Sequence, residues 1–518
     1  LEKIQFVFIA LIVGLKIPLL EDVRKFLNFK NIRRKMMNNS KLKENYIYNL
    51  IYQILAIIIP FITTPYVSRT LGVTAIGDYS YTTGLVTYFG LIAATGTATF
   101  ANREIAVHHE DLQQRSKLFW EIFLFRLIST MVAFVGYVIF ILSCLPQYRL
   151  LFIIQLCTFL SWILDVSWFC QGMENFKITA VRNTLVRIIA TVAIFVFVKN
   201  PQDLVIYTFI NCFAALLGNV TMWAYVKKMI ILVPRKKLHC FAHTKNIMQL
   251  FIPVIAVQIY TVLDKTMLGT FVNTTEVGYY TQADKIIQLA TTVISSLISV
   301  LLPTMAALSN KDGMNELKKL LEKSLMFIFL LSIPMCIGCL LVIDEFVPFF
   351  FGKGYDPVSD IIRIQSILFI VVNIGRLFGT TLVATGQQVK YTYAVISAAI
   401  LNFVLNAVFL KFFNLGAIGV SISSVLAEFF AAVIQVYFMK ELIVLKELAI
   451  LFKRYLFPSI IMGCAIISIR TFIGIGIIQL FIQVIVGACL YIGILFFMKD
   501  ELVYSIVNQV KKKIDRSL

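Results

Sequence analysis

The sequence predicts an all-α protein that crosses a lipid bilayer about fourteen times, and three observations carry that prediction. Hydrophobic residues make up 59% of the chain, charged residues only 14%, and the mean hydropathy is +0.85. A soluble domain is about half apolar and about a quarter charged, so this chain cannot cover its own surface with charge. Apolar runs of about 20 residues recur, the length that spans a bilayer as helix. They lack the two-residue alternation of barrel strands. Lys and Arg collect in every second connection, as the positive-inside rule expects.

Taken in order, residues 1–45 are an N-terminal extension. The apolar run at 4–15 is shorter than the roughly 17–25 residues of a span, and Lys16, Pro18, Glu21 and Asp22 follow at once. No small-residue cleavage site marks a signal peptide. Met36-Met37 leads a short basic stretch into the first clear span. Synthesis is therefore expected to start at Met36 or Met37, with 1–35 outside the translated protein. N-terminal sequencing checks this, and a mature end at Gln5-Phe6-Val7 overturns it.

The expected spans are 46–70, 77–100, 118–143, 148–170, 178–198 and 203–226, then 246–271, 277–303, 322–343, 358–384, 391–412 and 416–439, and finally 455–473 and 477–498. The basic connections hold Arg103, Arg115 and Lys117, then Lys177, then Lys227 to Lys245, then Lys311 to Lys319, Lys390, and Lys440 to Arg454. The alternate set is poor in cations, and "DEFVPFFFGKGYDPVSD" is net acidic. The basic set is read as cytoplasmic, and both termini lie on that side. The formal net charge of +19 thus reports topology and not nucleic-acid binding.

No connection is long enough for an extramembrane catalytic domain, so no enzyme activity is expected. Cys336-Ile-Gly-Cys339 has redox or metal spacing but sits in an apolar run, where small residues serve helix contacts. His108, His109, His239 and His243 are read as solvated loop residues without a third metal ligand. No metal or cofactor is expected, and no GxxxxGK[ST] phosphate loop occurs. Energy coupling stays open, with a proton or sodium gradient as the candidate source.

The halves repeat. "SRTLGVTAIGDYSYTTG" (68–84) and "DKTMLGTFVNTTEVGYYTQAD" (264–284) each join two spans. Leu71-Gly72 matches Leu268-Gly269, and Gly77 with Tyr79 matches Gly278 with Tyr280. "CQGMENFK" (170–177) parallels "ATGQQVK" (384–390). The expected organisation is a six-helix lobe at 46–240, a second at 246–440, and two further helices with a basic tail at 441–518. Six is even, so the halves run in the same sense, as in parallel-repeat transporters.

On the segment from "NLIYQILAIIIPFITTPYVSRTLG" through "ATFANREIA" and on "DKTMLGTFVNTTEVGYYTQADKI", the chain resembles the Wzx-type polysaccharide repeat-unit flippases. That family belongs with the lipid II flippase MurJ and the MATE drug exporters. The resemblance covers about 46–498. It implies two six-helix lobes in a MATE-like V shape. It also implies a substrate, an oligosaccharide joined by diphosphate to undecaprenol, and a place beside a polysaccharide polymerase and chain-length regulator in capsule, exopolysaccharide or O-antigen synthesis.

Ionisable residues inside spans are costly and mark a pathway or a buried pair. Arg69, Arg126, Arg187, Lys265, Lys285 and Arg376 are the candidate cations for a diphosphate, since Arg offers bidentate donors and Lys a point charge. Asp165, Asp264, Asp284 and Glu428 are candidates for cation coupling or charge pairing. Gln258, Thr261 and Lys265 form one polar stripe at helical spacing. Asp284, Gln288, Thr291, Ser295 and Ser299 form a second, and Asn373, Arg376 and Thr380 a third. Glu104 is read as interfacial, and Arg470 as snorkelling to the outer surface. The alternative functions are a cation-coupled multidrug exporter and a lipid II flippase. An acyltransferase or polymerase would need a His/Asp/Arg cluster, and the nearest, "ANREIAVHHED" at 101–111, is read as a loop.

Overall fold

The computed structural model describes residues 40–504, apart from 95, 144–145, 174–175, 310–312, 443–444 and 474–475. The expected start at Met36 or Met37 lies outside the described residues. The helices are α1 (Ser40–Ala94), α2 (Thr97–Val107), α3 (Leu112–Ser143), α4 (Pro146–Leu164), α5 (Ser167–Gly172), α6 (Phe176–Phe197), α7 (Leu204–Val226) and α8 (Thr244–Phe271). Then follow α9 (Thr274–Leu308), α10 (Met314–Phe351), α11 (Asp356–Gln365), α12 (Leu368–Ala384), α13 (Gln388–Lys411), α14 (Gly416–Phe438), α15 (Leu445–Ile473) and α16 (Ile477–Phe497). No strand occurs among the described residues. Each of the fourteen expected spans falls on helix.

Among the described residues, nine helical segments are long and apolar enough to cross a membrane, and ten if the α11–α12 pair, bent by 40°, is one span. Helices α8 and α9, which hold two of the three polar stripes, and α6, which holds Arg187, are not among them. On α3, Ile128, Val132, Val135, Ile139 and Leu142 are exposed, each three or four residues from the last. Phe119, Ile122, Ala133, Tyr137 and Ile141 are buried on the other face. In water such an apolar stripe would be a docking or aggregation surface. Facing lipid tails it costs nothing.

Three breaks shape the spans. At 55 residues, α1 would be roughly 80 Å long if straight, far more than the about 30 Å of a hydrocarbon core. Gly72, with φ 79° and ψ 170°, turns it into two spans. The sequence suggested a loop there, and the structure reduces it to one residue. Asp165-Val166 interrupts α4 and α5, and Ser366-Ile367 separates α11 from α12.

The chain divides into two compact units, Ser40–Gly278 and a second from Tyr279 onward. In the first, Phe119, Trp168 and Phe169 centre one cluster, and Tyr137, Phe152 and Phe159 another. The Tyr137 hydroxyl donates to Phe152 O at 2.9 Å, so its polar end is satisfied inside an aromatic core. In the second unit, α15 and α16 pack on α10, where Leu325 and Phe329 share a core with Tyr455 and Tyr491. The buried face of α14 is small: Gly416, Ala417, Gly419, Ser421, Ser424, Ala427 and Ala431. Lipid tails supply no hydrophobic drive between helices, so close backbone approach through small residues takes its place.

Two expectations change here. Helix α10 runs on to Phe351, eight residues past its expected end. Arg470 does not merely snorkel: its guanidinium pairs with Glu345 at 3.1 Å and Asp344 at 3.6 Å. Arg363 also holds Asp344. Two arginines thus neutralise the extra turns of α10 and tie α11 and α15 to them.

Candidate functional site

The two copies of the repeated segment meet each other inside the first unit. Thr74 and Thr275 face each other hydroxyl to hydroxyl at 3.0 Å. A methyl added to Gly77 would overlap Thr274 O, and one added to Gly278 would overlap Val73 O. In the repeat alignment Val73 and Thr274 each stand four residues before their glycine, and Thr74 and Thr275 three before. The contact is therefore reciprocal: each copy presents its glycine to the other's carbonyl. Gly269 meets the Tyr81 ring in the same way. Lower down, Tyr81 reaches Thr270 at 3.2 Å and Tyr88 reaches Thr266 at 2.8 Å. This row of hydroxyls lines the seam of α1 with α8 and the start of α9. Sequence reading found the repeat but not its self-contact. The signal was available in the fixed Thr-x-x-Gly spacing.

The matched Leu-Gly pairs serve different ends. Gly72 is the turn itself, whereas Gly269 lies within α8 and the second copy turns at Val272-Asn273. The Asn273 side chain there accepts Glu276 N–H at 2.9 Å and starts α9.

Arg126 and Asp165, separately chosen from the sequence, form one pair. Arg126 Nη2 donates to Asp165 Oδ2 at 2.9 Å, with side-chain exposures of 5% and 23%. Asp165 sits at the break between α4 and α5. Its Oδ1 accepts Ser167 N–H at 3.0 Å, and its carbonyl accepts Trp168 Nε1–H at 3.1 Å. One carboxylate thus caps the second half-helix and balances a buried cation. The Nε and Nη1 of Arg126 have no hydrogen-bond partner among the described residues.

The other candidates fall where they can be described singly. In the first unit Arg69 and Arg187 are exposed, Lys265 is half-buried and Asp264 is 5% exposed. Tyr88 is within electrostatic reach of Asp264. In the second unit Asp284 accepts a hydrogen bond from Gln288 at 3.0 Å, Lys285 is half-buried, and Arg376 is exposed. Glu428 and Tyr391 lie within electrostatic reach of Arg376. The third stripe divides: Asn373 is fully buried and donates to Phe369 O at 2.7 Å, while Arg376 turns outward. Thr291, in the second stripe, is buried and satisfied by Ile287 O. The side chain of Ser299 lies outside the described residues. Glu104 pairs with Arg103 at 2.8 Å.

One histidine is not a solvated loop residue. His243 Nε2 lies 3.1 Å from Glu121 Oε2, and Glu121 also accepts His239 N–H at 2.9 Å. A carboxylate only 3% exposed needs such partners, which sequence reading missed because Glu121 follows no motif. Cys336 contacts Ser366 Oγ at 3.6 Å within the helix packing, and among the described residues no cluster of His, Cys, Asp or Glu could hold a metal.

A family described as "Polysaccharide biosynthesis protein" matches residues 42–309. A protein of Escherichia coli (strain K12) named "Putative O-antigen transporter" is 24% identical over 382 residues, 71% of this chain and 90% of that one. A Haloferax volcanii protein named "Probable low-salt glycan biosynthesis flippase Agl15" is 23% identical over 45% of this chain and 49% of its own length. The solved structure of "Lipid II flippase MurJ, inward closed conformation" superimposes with a TM-score of 0.71 at 16% identity, over 88% of this chain and 99% of that one. That likeness establishes a shared fold.

Proposed function

The chain belongs to the polysaccharide biosynthesis protein family, and from that premise we propose that it is a flippase for lipid-linked oligosaccharide. The substrate is an oligosaccharide repeat unit on undecaprenyl diphosphate, carried from the cytoplasmic to the outer leaflet of a bacterial cell membrane. Both termini are cytoplasmic in this reading. A polysaccharide polymerase and chain-length regulator receive the product. The names of the relatives, an O-antigen transporter and a glycan flippase, support it.

The observation that carries the mechanism is the reciprocal contact of Gly77 with Thr274 O and Gly278 with Val73 O. Two copies of one segment meeting largely through backbone and hydroxyls make a seal that can part with little apolar surface to expose. Alternating access needs such a seal to open on one side while another closes. Arg69, Arg187 and Lys265 in the first unit, and Lys285 and Arg376 in the second, are the cations proposed as donors for a diphosphate, each considered within its own unit. Arg126 and Asp165 form the candidate coupling pair for a proton or sodium ion.

Reconstitution with a fluorescent undecaprenyl-diphosphate oligosaccharide tests the reading. The protein moves the label between leaflets, and Arg376→Ala and Lys265→Ala each slow it by about ten-fold, the worth of one charge-assisted contact. Undiminished flipping in both variants removes them from the site. Export of small cations with no movement of the lipid overturns the function.

A further inference from the structure

The segment between α7 and α8, residues 227–243, contains Lys227, Lys228, Arg235, Lys236 and Lys237 and no Asp or Glu. All five cations are exposed. The segment is nevertheless held still. Arg115 donates through Nε and Nη2 to Met229 O at 3.1 and 2.8 Å. Trp120 Nε1–H donates to Ile231 O, and Ile231 N–H donates to Ser116 Oγ, both at 3.0 Å. Glu121 then holds His239 N–H and His243. The opening turns of α3 therefore fix the backbone of the segment from one side.

What the fixed backbone turns outward is unusual for a loop in water. Leu232 is 85% exposed and Phe241 62% exposed, set among the five cations. Lys227 directly follows a membrane span that ends at Val226, and α8, which the sequence reads as the next span, begins at Thr244, which puts both ends of the segment at one face of the bilayer. Trp120 and Trp223 each meet Phe123 edge-on, at 5.9 and 5.2 Å. Indoles collect at the level of lipid headgroups. Protruding apolar side chains flanked by Lys and Arg at that level are the composition of an interfacial anchor. A cluster of four to eight cations beside a span attracts anionic lipid.

We infer that residues 227–243 form a docking surface for anionic phospholipid in the adjoining leaflet, with Leu232 and Phe241 dipping between acyl chains and the cations holding phosphate headgroups. The inference needs only a membrane-spanning chain and is independent of the transported substrate. A free protein partner would also bring charge, but the protruding Leu232 and Phe241 lie in a short segment that starts one residue beyond a span, at headgroup level, where lipid is the neighbour at hand.

The test uses the full chain in phosphatidylcholine nanodiscs with Leu232→Trp as reporter. Its added emission is compared with that of the unsubstituted protein while brominated phosphatidylglycerol or brominated phosphatidylcholine is present at equal mole fraction. The anionic lipid quenches the added emission at least about two-fold more strongly. Replacing Lys227, Lys228, Arg235, Lys236 and Lys237 by Gln in the same background abolishes the preference. The pair Lys236→Gln and Lys237→Gln alone reduces it. These side chains are exposed and leave every pinning bond in place. Equal quenching by both lipids, a preference that survives the five substitutions, or no quenching by either lipid overturns the inference. Failure here leaves the flipping assay untouched, and failure there leaves this surface untouched.

Discussion

Thr74 and Thr275 meet at 3.0 Å, and each is the residue three before a glycine that touches the other copy's backbone. The pair is close enough for a reversible covalent test. In a background with the nine native cysteines replaced, Thr74→Cys with Thr275→Cys cross-links on mild oxidation. If this contact must part during transport, the cross-linked protein stops flipping lipid and reductant restores it. Flipping at the full rate in the cross-linked protein would show that the seal never opens.

Gly72 and Gly77 stand five residues apart and are glycine for different reasons. Gly72 has open space around it but φ 79° and ψ 170°, a region that is essentially glycine-only. Gly72→Ala therefore costs about 1–3 kcal/mol in backbone strain. Gly77 has no room beyond its α-carbon, because Thr274 O fills it. Gly77→Val must push two backbones apart. The measurement is the yield of the Thr74–Thr275 cross-link in each variant: Gly77→Val lowers it, and so does Gly278→Val, the reciprocal site.

Removing one partner of a buried ion pair leaves the other uncompensated. Arg126→Met is expected to destabilise the protein by about 3 kcal/mol, the lower end for such pairs. Asp165→Asn keeps a cap on Ser167 but strands Arg126, the more deeply buried partner, and costs at least as much. The double variant recovers part of the loss, because neither charge remains alone. Thermal unfolding of the four proteins in one detergent gives the comparison. Additive losses would mean that the two residues act independently.

Glu121 holds two points of the 227–243 segment. Glu121→Ala releases His239 N–H and His243 and costs about 1.5–3 kcal/mol, the range for bonds to a charged group. Arg235, Lys236 and Lys237 are exposed cleavage points, so trypsin nicks the variant there faster than the parent. Equal nicking rates would place the restraint elsewhere on α3.

The spans were legible because twenty apolar residues have few other fates, and the structure places a helix on every one. The breaks were less so. Gly72 reads as an ordinary loop glycine until its torsions are known. Asp165 gives no local sign that its helix stops beside it. Pairing was the least legible. Arg126 and Asp165 are 39 residues apart, and sequence shows that each needs compensation without saying from whom. Glu121 and His243 are 122 apart; His243 reads as a solvated loop residue, and Glu121 draws no notice among the charged residues that open α3. The stripe of Asn373, Arg376 and Thr380 does not read out its own burial: Asn373 is fully buried while Arg376, one turn further along α12, is exposed.

The single-residue turn at Gly72 also sets what lengths of chain the protein can accept there. Surface connections usually absorb inserted or deleted residues, and the 227–243 segment has room to do so at Arg235–Lys237. Between the first two spans there is no slack. One inserted residue after Gly72 would rotate the helix that follows by about 100° and advance it by about 1.5 Å. Gly77 would swing away from Thr274, and a side chain would arrive in its place. Length, more than composition, is what this connection holds fixed.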